Sequence, residues 1–170
     1  SEANPFGSVA EAIAAAGDAG ATILLSKGSH SGGQLLEGGA LTLIGACAQA
    51  TVLESADGAA LAADGLSRLR LAQLALSGNQ GPDMGLDGLG ASLEVKATDL
   101  EAQDLRITNP AGHGIGLALG AEKNASLRFI SLTDLAGRGL VAAGPQGDIS
   151  LANAQLEAIG SDGIALEVPI

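Results

Sequence analysis

Aromatic residues are nearly absent from this chain: no tryptophan, no tyrosine and two phenylalanines, although 46% of its 170 residues are hydrophobic. An interior organised around rings is thereby excluded, and the core has to be built from Leu, Ile, Val and Ala, which suits a narrow interior. A single cysteine, Cys47, excludes an internal disulfide; in the run Leu41-Thr42-Leu43-Ile44-Gly45-Ala46-Cys47 it reads as a buried small hydrophobe rather than a reactive thiol. Cations are scarce too. Eight Lys and Arg against nineteen Asp and Glu leave a net charge of −11, which argues against nucleic-acid partners and anionic membrane surfaces. Acidity of this kind reads first as a solubility device and only second as cation binding. No run approaches the ~18 consecutive apolar residues of a membrane span, and no basic segment opens the chain, so a mature soluble domain is expected. Ser1-Glu2-Ala3-Asn4-Pro5 reads like a processed or trimmed start.

What the chain does have is glycine, 26 residues of it against five prolines, and a repeated phrase. Gly112-His113-Gly114-Ile115, Gly137-Arg138-Gly139-Leu140 and Ser161-Asp162-Gly163-Ile164 are three copies, with Met84-Gly85-Leu86 as a looser fourth. Their apolar anchors recur at spacings of 29, 25 and 24 residues, the mark of units that bury their apolar faces only by stacking. Leu86, Ile115, Leu140 and Ile164 are expected to form one aliphatic ladder.

Ser8-Val9-Ala10-Glu11 is a capping box and predicts a short helix over 8–17, ended by Gly17 and Gly20. From Thr22 onward the period shortens to β-like runs: Thr22–Leu25, Leu41–Ile44, Thr51–Leu53, Leu69–Leu71, Leu93–Val95, Leu105–Ile107, Leu127–Ile130 and Ile149–Leu151. Gly, Asn, Asp and Ser clusters such as Ser77–Asp83 and Thr108–Gly112 separate them as turns. Short strands without crossover helices allow a sandwich, a barrel or a coil, and the returning phrase selects the coil.

The stretch from Ser8 to Glu54, with its capped helix, Ala21–Leu25, Lys27-Gly28-Ser29-His30, Leu41–Gly45 and Thr51–Leu53, resembles the N-terminal entry of right-handed parallel β-helix proteins of the pectin lyase-like superfamily. The resemblance extends over nearly the whole chain and implies a fold: all-β, a right-handed parallel β-helix of roughly six coils over 21–170, in one domain spanning 1–170, with the helix over 8–17 capping the core. It also implies an extracellular or cell-surface setting in a bacterial protein. The segment Ile164–Ile170 is apolar and has no recognisable cap, so this end is expected either to continue into further coils or to dock on another copy through Leu166, Val168 and Ile170, although Pro169 weakens simple strand continuation.

Enzymes of that superfamily hold substrate along one sheet between long loops, and little of that equipment is found here. Loops are short, and no ring is expected to be available to stack on a sugar. Gly112-His113-Gly114-Ile115 matches a short motif of polygalacturonase-like glycosidases, but the Asn-x-Asp, Asp-Asp and Arg-Ile-Lys motifs that accompany it are missing, and paired carboxylates are what would activate water and protonate a leaving group. The same slot holds His113, then Arg138, then Asp162, which reads as an exposed position before a required glycine. Stacked on neighbouring coils, these three are nevertheless the one constellation that could grip a polar or anionic ligand. His30, in Gly28-Ser29-His30-Ser31-Gly32-Gly33, reads as part of a flexible polar turn. Asp57-Gly58 and Asp64-Gly65 read as turns before calcium ligands, and Asn124-Ala125-Ser126 matches a glycosylation acceptor.

The expectation is therefore a non-catalytic extracellular β-helix module serving as a rigid structural, adhesive or assembly domain, without cofactor, metal or catalytic residues. Its expected partners are a second copy at the C-terminal coil and a carbohydrate or protein ligand. The alternative is a pectinase-like polysaccharide lyase or glycoside hydrolase fragment acting on acidic polysaccharide.

Overall fold

A computed structural model describes residues 5–17, 20–79, 81, 85–144 and 147–167. It is an all-β parallel solenoid of about five turns with one short helix. Helix α1 (Val9–Ala16) begins where Ser8 Oγ accepts the Glu11 N–H at 3.2 Å, and Gly17 ends it at φ 58°. The Glu11 carboxylate reaches back one residue further than expected, accepting the Gly7 N–H at 3.0 Å. Val9 and Ala12 are the buried side of α1, laid over the first turn of the coil.

Fourteen strands follow among the described residues: β1 (Ala21–Leu25), β2 (Gly28–Ser31), β3 (Gln34–Glu37), β4 (Ala40–Gly45), β5 (Thr51–Glu54), β6 (Leu61–Asp64), β7 (Arg68–Ser77), β8 (Ala91–Lys96), β9 (Asp99–Asn109), β10 (His113–Ala118), β11 (Ala125–Leu135), β12 (Leu140–Ala143), β13 (Ile149–Ile159) and β14 (Ile164–Glu167). All the pairing is parallel. Three faces result. The first is β1, β4 and the leading halves of β7, β9, β11 and β13; the second is β2, β5 and their trailing halves; the third is β3-β6-β8-β10-β12-β14.

Every expected β run lies in a strand, because alternation places one side chain of each pair inside. Like residues then stack in columns: Ile23, Leu43, Leu71, Ala102, Leu127 and Leu151 on the first face, and Leu53, Leu76, Ile107, Leu132 and Leu156 on the second. The third face carries Leu61, Leu93, Ile115, Leu140 and Ile164. Leu86 is thus not a member of the expected ladder. Its place belongs to Leu93, because Leu86 lies in a 3₁₀ turn (Leu86–Gly88) before β8 and out of register with the ladder; Met84 of the same phrase is outside the described residues.

Two further expectations are corrected. Gly28–Ser31 is strand β2 rather than a flexible turn, since its backbone pairs with β5 and Gly28 N–H donates to Ala50 O at 2.7 Å. Cys47 is only partly buried: it follows β4 in a turn where its carbonyl accepts the N–H groups of Ala50 and Thr51.

The corner between the first and second faces is sharp. At this corner of β7, β9, β11 and β13 the residue that turns the chain takes a left-handed conformation: Gln73 (φ 55°), Asp104 (55°), Phe129 (54°) and Asn153 (55°), flanked by paired residues that hold all four in register. Asn and Asp tolerate this region, whereas a bulky ring does so at a cost of about 1–2 kcal/mol. Phe129 is the odd member of that column.

The register predicts a contrast between two leucines. Leu93→Ala, at a position with no solvent exposure, should cost about 3 kcal/mol and lower Tm by roughly 6–12 °C. Leu86→Ala, outside the ladder, should cost under about 1 kcal/mol; equal losses in thermal denaturation would contradict the assigned register.

Candidate functional site

The turns determine where chemistry-bearing side chains point. At the end of β9, Asn109 is fully buried; its Oδ1 accepts the N–H groups of Ala111 (3.2 Å) and Gly112 (3.1 Å), and its Nδ2 donates to His113 O at 2.9 Å. This Asx turn delivers the chain into β10 with His113 at its first position. One coil on, the Arg138 N–H donates to His113 Nδ1 at 2.7 Å. The ring lies over Gly137, where an added Cβ would collide with Nδ1, so that slot admits no side chain. A further coil on, Arg138 Nε lies 3.7 Å from Asp162 Oδ2.

The structure therefore brings His113, Arg138 and Asp162 together as a stack, linked by Gly114 N–H to Arg138 O (3.0 Å) and Gly139 N–H to Asp162 O (3.3 Å). For Nδ1 to accept, the proton of the neutral imidazole has to sit on Nε2. The stack ties three coils to one another. Leu166 lies on β14 with its side chain exposed, while Val168 and Ile170 are outside the described residues. His30 Nε2 lies 2.9 Å from Ser26 O, within its own turn of the coil.

Other buried polar groups likewise join neighbouring coils. Ser92 Oγ accepts the Gly78 N–H at 2.9 Å and donates to Thr108 O, and Thr98 Oγ1 accepts the Leu66 N–H at 3.0 Å. Glu94, on the outer side of the third face, accepts the N–H groups of Leu86 (2.8 Å) and Ala91 (3.2 Å) and so holds the loop before β8 against the sheet. Leu89 of that loop rests over Gly116, where a Cβ would come within 2.7 Å of the leucine Cβ.

Among the described residues no group of three or more His, Cys, Asp and Glu is placed to hold a metal ion, and no helix is long and apolar enough to cross a membrane. One open groove, of about 660 Å³, runs over the outside of the first face between Arg68, Gln103, Asn124, Arg128, Asp148 and Ser150. Nothing in the sequence marked it, because its residues come from four coils and share no motif.

Fold and site together define a parallel β-solenoid in which several polar side chains, His113, Ser92 and Thr98 among them, bridge adjacent coils. No family model, curated protein or solved structure matches this chain.

Because His113 Nδ1 satisfies a backbone donor, His113→Ala should lower stability by about 1–2 kcal/mol. Asp162→Ala, at the exposed end of the stack, should change it by less than about 0.5 kcal/mol. Chemical denaturation of the two variants checks the ordering.

Proposed function

We propose that this chain is a non-catalytic β-solenoid module of an extracellular or cell-surface protein, serving as a rigid structural, adhesive or assembly element. The observation that carries the reading is where the reactive side chains are used. His113 accepts a backbone N–H from the next coil, Arg138 pairs with Asp162, and the pairs Lys96–Asp64 (3.6 Å) and Arg70–Glu101 (3.6 Å) also run between consecutive coils. Side chains so engaged resist shear between coils and are not poised for proton transfer. The pectinase-like alternative leans on Gly112-His113-Gly114-Ile115, and there the imidazole acceptor is already occupied.

Assembly draws support from the exposure of the third-face ladders. Leu140 is 2% exposed and Ala142 0%, but their partners on the last strand, Ile164 and Leu166, are 50% and 65% exposed. Among the described residues β13 pairs on one side only, with β11, and its stretch Ile149–Ile159 carries one charged residue, Glu157, and no proline. A second copy laid on this coil would bury the exposed leucine and isoleucine, whereas α1 obstructs the opposite end.

Incubation with uronates, glucans and host glycans should release no new reducing ends; steady turnover would overturn the module reading. In light scattering the protein should self-associate, and Leu166→Lys should weaken association about tenfold or more. A strict monomer at millimolar concentration would refute assembly through this coil.

A further inference from the structure

We infer that assembly through the last coil is a two-fold, end-to-end pairing of two copies, closed at the dimer and held in check by the carboxylates that both copies bring to the contact. The inference rests on the reading of that coil as an assembly surface and adds its symmetry and its control.

The shape of the open end selects a second copy as the occupant. Leu127 and Leu132 are buried, whereas Leu151 and Leu156, the next members of their columns, are only partly buried. Ile164 and Leu166 carry the third-face columns on into solvent. Three apolar columns are thus open at once. An extended peptide would cover one face of such an end; covering all three takes another coil of the same outline, which a second copy supplies. Because α1 lies over the first turn, the two open ends have to face each other, and the pairing closes at two copies instead of growing into a filament. A two-fold axis passing through the third face sets Ile164 and Leu166 against their own copies. The first and second faces then exchange places, so leucine meets leucine in those columns too.

Charge opposes this contact. The last basic residue of the chain is Arg138, and residues 139–170 hold Asp148, Glu157, Asp162 and Glu167 with no Lys or Arg. Arg138 reaches forward to Asp162 at 3.7 Å, while Asp148 and Glu157 are exposed. The two-fold therefore brings carboxylates towards carboxylates, and neither last coil supplies a cation to offset them. Such repulsion acts over a Debye length of about 10 Å at 0.1 M salt and is screened as salt rises.

The apolar contact is small enough for that repulsion to decide the outcome. At about 3.3 Å per residue, a coil of 24 residues encloses an end of roughly 300 Å² at the backbone and roughly 500 Å² with its side chains. A stable interface covers about 800 Å² on each partner.

Sedimentation equilibrium of the whole chain tests the inference. Dimers and no larger species are expected, with the dissociation constant falling about tenfold between about 50 mM and about 1 M sodium chloride. At low salt Glu157→Gln and Asp148→Asn should each tighten the dimer about threefold and blunt the salt response, which salting-out of apolar surface would not do. Glu37→Gln, an exposed carboxylate on the first coil, is expected to change nothing. Leu166→Glu should weaken association about threefold more than Leu166→Lys, although both lose the same apolar contact. Unchanged affinity in Glu157→Gln and Asp148→Asn, species longer than two copies, or an equal response to Glu37→Gln overturns the inference while leaving assembly itself in place. A peptide of about ten alternating Lys and Val residues that binds the end more tightly than a second copy does would also overturn it, assigning the end to a basic strand. A monomer under every condition and in every variant would overturn the assembly reading together with it.

Discussion

Parallel backbone pairing between successive coils is the constraint on which everything else in this molecule depends. In a parallel ladder each strand fixes the axial position of the next, so an inward side chain always meets the equivalent side chain of the neighbouring coil. Leucine on leucine, column after column, then excludes water without rings. Displacement of one strand by one residue would invert its inside and outside, which is why an insertion has to leave the sheet altogether, as the loop before β8 does.

Closing the coil needs corners, and the corners use polar side chains for backbone purposes. Asn109, Ser92, Thr98 and Glu94 are buried because each satisfies N–H or C=O groups that the turns leave unpaired. His113 follows the same logic with a ring nitrogen. A residue type that suggests catalysis in isolation is here a hydrogen-bond acceptor for the next coil. Asp162, at the open end of the same stack, keeps most of its surface in solvent.

The faces differ in what they leave outside. The third face is partly closed by the loop carrying Leu89, held by Glu94, whereas the first face stays open. A flat paired sheet offers a ligand no backbone edge, so any recognition there has to come from side chains arranged along and across the strands. The repeat supplies that arrangement without a long loop.

The sequence by itself determined the architecture: capped helix, strand runs, repeat spacing and an aliphatic interior all follow from local pattern, since a period of two and a returning turn phrase act within a few residues. It also aligned His113, Arg138 and Asp162, because their coils are of nearly equal length. Tertiary structure alone decided three matters. Leu93 rather than Leu86 completes the ladder, because the register is set by pairing with β6 and β10 and not by the local phrase. Gly28–Ser31 became a strand only because β5 lies beside it. The groove over the first face was assembled only by stacking, since Arg68, Gln103, Arg128 and Ser150 come from four successive coils and no linear motif records that distance.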